Sequence, residues 1–214
     1  MGTIEKCCCS SNISNDKINE VTSHKEIYGT KRIKIDEYKE KMLNLHNELR
    51  NKYLVSELER DPELDEIADE YVIKIYIKYN NYIYHLNKHI YSTEEIIYNK
   101  EYTYKKEYLG ENVSISSFNS PEEIFNTWAV ESDYYNFNSQ KFSKKASHFT
   151  QIIWKDTKKI GIGYYYDKPK NLFYTVILYY PIGNKLGEFN QKINNEFESI
   201  YEQENDDKTS SLLL

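Results

Sequence analysis

Two stretches of the chain place apolar side chains at three- and four-residue steps, the pattern of an amphipathic helix. The first stretch covers residues 35–53, and its apolar positions are Ile35, Tyr38, Met42, Leu45, Leu49 and Tyr53. The second begins near Pro62, and its apolar positions are Leu64, Ile67, Ala68, Tyr71, Val72, Ile75 and Tyr79. Because such a stripe must be buried against another element, we expect both helices to pack on a shared core.

Later segments predict one more helix and two strands. The sequence "SPEEIFNTW" is typical of a helix start, with Ser120 as N-cap, Pro121 in the first turn and Glu123 as the capping-box partner. Residues 160–166 and 172–180 read as strands joined by "DKPKN". Residues 83–109 show no clear period, and we expect them to be irregular and to include an insertion. Three helices with at least two strands predict an α+β domain, in which helices pack against an antiparallel sheet.

Polar residues dominate both ends of the chain, which divides it into three parts. We expect residues 1–34 to form a disordered arm, residues 35–190 to form one folded domain, and residues 191–214 to form an acidic tail.

Charge and cysteine usage narrow the class of protein. The 214 residues carry a net charge of -6, which argues against nucleic acid as a partner, since phosphate binding needs a basic surface. All three cysteines are adjacent, at Cys7, Cys8 and Cys9, so a core disulfide is excluded and a reducing compartment is favoured. Residues 1–34 contain no apolar segment typical of a secretory signal, and the run from 172 to 180 is too short to span a membrane. We therefore expect an intracellular protein.

Two glutamates are candidates for a site. Glu131 shares the helical stripe of Trp128, and a carboxylate at the margin of a core is costly unless it is paired or coordinates an ion. An ion pair with Lys141 or Lys144 is the simpler interpretation. Glu111 follows Gly110 in "LGENVS", which suggests a turn or a tight backbone, and an exposed loop glutamate is the alternative to a functional one.

The histidines likewise allow a structural or a functional interpretation. His148 precedes an apolar run, where a histidine either packs in the core or faces a pocket. His85 and His89 are four residues apart, so on a helix they would share a face and could hold zinc. His46 fits helix packing rather than catalysis. Ser147 directly precedes His148, and adjacent residues rarely reach the geometry of a serine nucleophile and its base.

Five segments together resemble the CAP superfamily (cysteine-rich secretory proteins, antigen 5, pathogenesis-related 1). They are "HNELR" at 46–50, "GEN" at 110–112, "WAVESDYYNF" at 128–137, "HFTQIIWKDTKKIGIG" at 148–163 and "YYPIGN" at 179–184. The resemblance covers roughly residues 35–190 and implies an α-β-α sandwich with a cleft lined by two histidines and two glutamates. Carried over to this chain, the resemblance implies that Glu111, Glu131 and His148 are three of these four cleft residues. The second histidine is His85 by its distance from the second helix, with His89 as the alternative, because the family's following serine is absent from both.

The N-terminus and the missing disulfides resemble the intracellular, Golgi-associated branch of that family. Ile177 stands where secreted members have a cysteine. "MGTIEKCCC" resembles a signal for myristoylation of Gly2 and palmitoylation of residues 7–9, two lipids that together give stable anchoring. Lys6 stands where the usual signal has serine or threonine, and an unmodified arm is the alternative.

The resemblance implies a membrane-anchored protein that binds lipid or a partner, on the cytoplasmic face of the Golgi or plasma membrane. Its partners would be membrane lipids, including a sterol or an anionic lipid, or a second copy in a homodimer. Two histidines and two glutamates suit zinc or another divalent cation, which folding would not require. The alternatives are a metal-assisted, protease-like hydrolase and an interaction scaffold with a vestigial cleft. The sequence offers no nucleophile or oxyanion donor, which counts against an enzyme.

Overall fold

Five helices and six strands make up the described part of this computed structural model, which covers residues 29–86 and 102–194, with side chains described for 35–80 and 102–194. The helices are α1 (Gly29–Lys52), α2 (Pro62–Leu86), α3 (Pro121–Ala129), α4 (Ser147–Ile152) and α5 (Phe189–Lys192). The strands are β1 (Glu59–Arg60), β2 (Thr103–Tyr104), β3 (Glu107–Tyr108), β4 (Gly110–Ser116), β5 (Lys159–Asp167) and β6 (Leu172–Tyr180). Short 3-10 turns cover Val130–Tyr134 and Lys144–Ala146.

The central sheet has the strand order β1-β5-β6-β4. Strands β5 and β6 form the antiparallel hairpin predicted from the sequence, and Glu111 of β4 pairs with Leu178 of β6 in a second antiparallel ladder. The short β1 runs parallel to β5, with Glu59 opposite Lys159, so the sheet is mixed rather than wholly antiparallel as expected. The α+β class predicted from the sequence is confirmed.

One face of the sheet packs against α2. Its core contains Ala68, Tyr71, Val72, Ile75, Val113, Tyr174, Val176 and Leu178, which includes most of the predicted stripe. Gly161 and Gly163 let the helix lie directly on β5, because a Cβ at either position would collide with the backbone of Leu64 or Ala68. Strand β6 is buried from 173 to 179 because helices cover both faces of the sheet.

The other face packs against α1, α3, α4 and α5. Apolar members of this second core include Met42, Ile124, Phe125, Trp128, Phe149, Trp154, Ile162, Ile177, Phe189 and Ile193. Helix α3 starts as predicted, since Ser120 Oγ accepts a hydrogen bond of 3.1 Å from the Glu123 amide. The two cores on opposite faces of one sheet form the α-β-α sandwich that the resemblance implies.

The described helices and contacts include residues before 35 and after 190. Helix α1 begins at Gly29, six residues before the predicted start at Ile35 and inside the stretch expected to be a disordered arm. At the other end, Phe189 and Ile193 are each 2% exposed, and the Lys155 amide donates to the Lys192 carbonyl over 3.1 Å. These contacts carry the domain past residue 190.

Arg50 is a fully buried cation that hydropathy does not predict. Its guanidinium donates to four backbone carbonyls, those of Ser56 (2.7 Å), Ile152 (2.7 Å), Trp154 (3.0 Å) and Thr157 (3.0 Å). Burial lowers the pKa of Arg50 to about 10. Arg50 thereby fastens the end of α1 to the turn between α4 and β5.

None of the helices in the described ranges has the length and hydropathy of a membrane-spanning segment.

Candidate functional site

A hydrogen-bonded pair, His148 and Glu131, forms the centre of the candidate site. His148 lies in the first turn of α4, and Glu131 lies in the 3-10 turn that follows α3. The Nδ1 atom of His148 is 2.6 Å from Oε1 of Glu131, and the side chains are 36% and 17% exposed. Because an ionised carboxylate can only accept, Nδ1 carries the proton, and in the neutral imidazole Nε2 keeps its lone pair.

Both carboxylate oxygens of Glu131 have partners. Oε2 accepts from the backbone amides of His148 (2.9 Å) and Phe149 (3.3 Å), while Oε1 accepts from the imidazole. The indole of Trp128 stacks on the His148 ring, with centroids 6.0 Å apart and an interplanar angle of 24°. Glu131 and Trp128 therefore fix the orientation of the imidazole.

Glu111 lies on the edge strand β4 and contacts Tyr71 of α2. Burial raises the pKa of Glu111 to about 7, and the hydrogen bond to Tyr71 and the charge of His148 offset that rise only in part. The influence of His148 on this carboxyl group shows that the two side chains belong to one electrostatic environment.

A chain of buried hydrogen bonds lies behind the site. Asn112 donates from Nδ2 to the His148 carbonyl (3.2 Å) and to the Tyr179 hydroxyl oxygen (3.0 Å). The Tyr179 hydroxyl is 2.8 Å from Nε2 of His46, whose Nδ1 is 2.7 Å from the Met42 carbonyl. A carbonyl only accepts, so His46 donates a hydrogen bond from Nδ1 and accepts one from the Tyr179 hydroxyl at Nε2.

Burial keeps His46 neutral, lowering its pKa to about 4. The interpretation of His46 as a packing residue agrees with its complete burial and with its ring contacts to Phe125 and Tyr179. The chain from Asn112 to His46 ties β4 and β6 to α1, so it holds Glu111 and His148 in fixed relative positions.

Helix α4 is also held by the segment that follows β6. Gln151 accepts from the Gly183 amide over 3.0 Å, and its side chain fills the space that a Cβ at Gly110 or Gly183 would need. Asn184 donates from Nδ2 to the Ser147 carbonyl over 2.8 Å. These contacts explain why "GEN", "HFTQ" and "YYPIGN" meet in space.

A sequence profile of the cysteine-rich secretory protein family, CAP, matches residues 43–180. The chain belongs to the CAP family. Golgi-associated plant pathogenesis-related protein 1 of Homo sapiens is 28% identical over 153 residues, 71% of this chain and 88% of that protein. GLIPR1-like protein 1 of Mus musculus is 30% identical over 125 residues, and the match spans 56% of this chain and 48% of that relative.

A solved CAP structure shares the fold. Schistosoma mansoni venom allergen-like protein 4 has a TM-score of 0.51 and 16% sequence identity, and the match covers 74% of this chain and 96% of that one. At 16% sequence identity, this similarity shows only that the two chains share a fold.

The structure brings two of the four residues that the CAP resemblance implies into direct contact. Glu131 and His148 are in contact, and Glu111 lies in their electrostatic environment. Within the described ranges, no group of three or more His, Cys, Asp or Glu side chains is arranged to hold a metal ion. Glu131 already accepts hydrogen bonds from three donors and thereby orients the His148 imidazole; its role as a metal ligand stays a prediction.

The backbone places His85 in the last turn of α2. Tyr71, which contacts Glu111, lies fourteen residues earlier on the same helix, about 21 Å along the axis at 1.5 Å per residue. That separation counts against His85 as a partner of Glu111. His89, the alternative, lies outside the described residues, as do Gly2 and Cys7, Cys8 and Cys9.

The loop that we predicted around Glu111 is wrong, because Gly110 and Glu111 open strand β4. Gly110 is required by the nearby Gln151 side chain and not by a turn. Strand alternation in "GENVSIS" separates Glu111 from Asn112, which face opposite sides of the sheet. Sequence reasoning missed Asn112 and Tyr71 as site residues, although the two-residue period was a usable signal for the strand.

The structure also bears on the alternatives for Glu131 and Ser147. We expected an ion pair between Glu131 and Lys141 or Lys144 as the simpler interpretation. In the structure Glu131 instead forms a hydrogen bond with His148. The Ser147 hydroxyl donates to the Lys144 carbonyl over 3.0 Å and is therefore not oriented toward the imidazole as a nucleophile.

Proposed function

We propose that this CAP protein binds a divalent cation, zinc or a chemically similar ion, in the cleft between β4 and α4. The ligands would be Nε2 of His148, the carboxylate of Glu111 and a histidine from the 85–89 stretch. The observation that carries the proposal is the hydrogen bond of 2.6 Å between Glu131 and Nδ1 of His148. Metal-binding histidines almost always donate their second ring N–H to such an acceptor.

The chemical types of the described donor groups suit such an ion. Zinc takes imidazole nitrogen and carboxylate oxygen, and His148 keeps Nε2 available on a side chain that is 36% exposed. Burial disfavours the ionised form of Glu111 and raises its pKa to about 7. A neighbouring cation would favour that ionised form, which supplies a reason for placing a half-buried carboxyl group here.

A bound zinc ion would act as a Lewis acid, but binding alone is the function that the described residues support. Glu131 holds a proton at Nδ1, Asn112 holds the His148 carbonyl, and Trp128 covers one face of the ring. The described residues around His148 offer no nucleophile, so a protease-like activity is the weaker alternative.

We further propose that the protein works at an intracellular membrane, attached by acyl chains on Gly2 and on Cys7, Cys8 and Cys9. The cysteine cluster beside an N-terminal glycine supports this attachment. The name of the human relative, Golgi-associated, supports a Golgi location. Membrane lipid, a protein partner or a second copy of the chain would then be the binding partner.

Titration calorimetry with zinc tests the cleft. The three cysteines are changed to serine so that the arm cannot bind the ion, and His148→Ala is compared with His24→Ala as a matched control. We expect His148→Ala to lower zinc affinity by at least about tenfold, and Glu131→Gln to lower it by about 10- to 100-fold through loss of orientation. His24→Ala should leave affinity unchanged.

The same titration chooses between the histidines. Either His85→Ala or His89→Ala should weaken zinc binding, and the variant that does so identifies the histidine of the cleft. Equal affinity in all four histidine variants would show that the cleft is not a metal site and would favour the interaction scaffold.

A further inference from the structure

Residues 140–145, which we name the lysine segment, form a basic and partly apolar strip beside the cleft. Lys141, Lys144 and Lys145 are all exposed, and no acidic residue occurs between 138 and 148. Two large apolar side chains accompany the lysines: Phe142 is 45% exposed, and Tyr134 is 61% exposed with Lys145 Nζ 6.0 Å from its ring centre. Such a strip is unusual on a chain whose net charge is -6.

The last described residues of the chain lie against the lysine segment. Gln140 donates from Nε2 to the Ile193 carbonyl over 3.5 Å, and the rings of Phe142 and Phe189 are 5.9 Å apart. Asn194 is fixed by a hydrogen bond of 2.8 Å to the Tyr53 carbonyl. The chain therefore leaves the described domain near the start of the lysine segment, where Gln140 directly precedes Lys141.

The sequence that follows has the opposite charge. Residues 195–214 contain six carboxylates and one lysine, a net charge of -5; the acidic residues are Glu196, Glu198, Glu202, Glu204, Asp206 and Asp207. Phe197, Ile200 and Tyr201 add apolar side chains at three- and four-residue spacing. Each residue spans at most about 3.3–3.6 Å, so residues 195–207 are long enough to follow the six residues of the lysine segment from the contact at Gln140.

We propose that residues 195–207 of this chain dock on the lysine segment of the same molecule. Their carboxylates face Lys141, Lys144 and Lys145, and their apolar side chains cover Phe142. Because the tail is attached to the domain near the lysine segment, its acidic residues are present there at a high effective concentration. This favours the tail over a separate acidic molecule from solution as the binding partner of the lysines.

Carbodiimide cross-linking of the full chain tests this docking. The reagent joins carboxylates to amines that are in contact, and an equal mixture of ¹⁴N- and ¹⁵N-labelled protein separates links within one molecule from links between two. We expect links from the six tail carboxylates to Lys141, Lys144 and Lys145, within one molecule, at least about fivefold more frequent than links to the exposed control lysines Lys105, Lys106 and Lys168. Raising the salt to about 1 M should suppress them, since the Debye length falls to about 3 Å.

Hydrogen exchange supplies an independent measurement. Changing the six carboxylates to the corresponding amides should speed amide exchange in residues 138–148, as should Lys141→Gln, Lys144→Gln and Lys145→Gln together. The control set Lys105→Gln, Lys106→Gln and Lys168→Gln should leave that exchange unchanged.

Three results would overturn the proposal. Links that join ¹⁴N to ¹⁵N chains would assign the lysine segment to a second copy. Links spread evenly over lysine-segment and control lysines would exclude a specific contact. Unchanged exchange in the tail variant, combined with protection only on adding phosphatidylserine vesicles, would assign the strip to an anionic membrane.

Discussion

At the scale of single residues, buried polar groups organise the contacts between α1, the sheet and α4. Arg50 reaches backbone carbonyls from two separate segments, and His46 accepts the Tyr179 hydroxyl while donating to Met42. Both belong to "HNELR", one of the segments that carry the family resemblance. Their contacts are directional, so a side chain of similar size cannot replace them.

Arg50→Met should destabilise the protein strongly. The change removes four hydrogen bonds and leaves four buried or part-buried carbonyls to find other donors, which predicts a loss of about 3–5 kcal/mol in the free energy of unfolding. Urea denaturation measures this loss. Lys52→Met, at an exposed position of the same helix, is the matched control and should change stability by less than about 0.5 kcal/mol. A similar small effect for both variants would contradict the role given to Arg50.

Two buried titratable groups should give opposite pH dependences. The pKa of His46 is lowered from 6.5 to about 4, so its contribution to stability is present above pH 6.5 and is lost as pH falls toward 4. The pKa of Glu111 is raised from 4.5 to about 7, so its contribution is present below pH 4.5 and is lost as pH rises through 7. Each amounts to on the order of 3 kcal/mol at 1.36 kcal/mol per unit.

Stability is measured from pH 4 to 8 with a chelator present, for wild type, Glu111→Gln and His46→Gln. The advantage of Glu111→Gln over wild type should be largest at pH 8 and disappear near pH 4.5. The difference between His46→Gln and wild type should be constant above pH 6.5 and should shift in favour of the variant as pH falls. Parallel curves for all three proteins would contradict the burial of these groups.

At the scale of elements, the approach of α2 to β5 depends on two glycines. Gly161 and Gly163 present no side chain to the helix, and a Cβ at Gly163 would collide with the Ala68 carbonyl. Both glycines lie on β5, which pairs with β6 in the antiparallel hairpin. The helix that contacts Glu111 through Tyr71 is therefore positioned by residues distant from the cleft.

Gly163→Ala should push α2 away from the sheet, and overpacking of this kind costs about 1–3 kcal/mol. Gly187→Ala is the comparison, because a Cβ there meets no atom and the φ of 88° alone gives a cost of about 1 kcal/mol. Thermal unfolding compares the two. A smaller loss for Gly163→Ala than for Gly187→Ala would contradict the close packing of α2 on β5.

The pattern of apolar positions predicted the helices that bury one face and the strand that is buried on both faces. The stripes of α1 and α2 and the apolar run of β6 are local patterns, and the structure confirms them. Strand β4 was missed because Gly110 suggested a turn, whereas the absence of a side chain there makes room for Gln151. Nothing local marks β1, which is two residues long and pairs with a strand a hundred residues later.

The candidate site was predicted only in part. Glu131 and His148 came from helical spacing combined with the family resemblance, and their contact supports that inference. Asn112 and Tyr71 were not predicted, since their roles depend on contacts with residues about 36 and 40 positions away in the sequence. The orienting role of Glu131 follows from three donors that meet only in the folded chain.

At the scale of the whole molecule, the proposed acyl chains at the N-terminus would attach the CAP domain to a membrane. Gly2→Ala combined with serine at Cys7, Cys8 and Cys9 should release the protein from membranes, because both proposed lipids are then absent and one acyl chain alone anchors only marginally. Cell fractionation measures the pelleted share. Ser10→Ala, Ser11→Ala and Ser14→Ala together are the control and should pellet like wild type. A variant without the four acceptor residues that still pellets fully would contradict attachment by acylation.

The central claim is that His148, oriented by Glu131, presents Nε2 to a divalent cation beside Glu111. Zinc-soaked crystals of the protein, with anomalous scattering recorded at the zinc edge, test it most directly. We predict an anomalous peak about 2.0–2.1 Å from His148 Nε2, with Glu131 still bonded to Nδ1 and a Glu111 oxygen among the other ligands. Zinc bound elsewhere, with no peak at His148 in crystals whose cleft is open to solvent, would contradict the account.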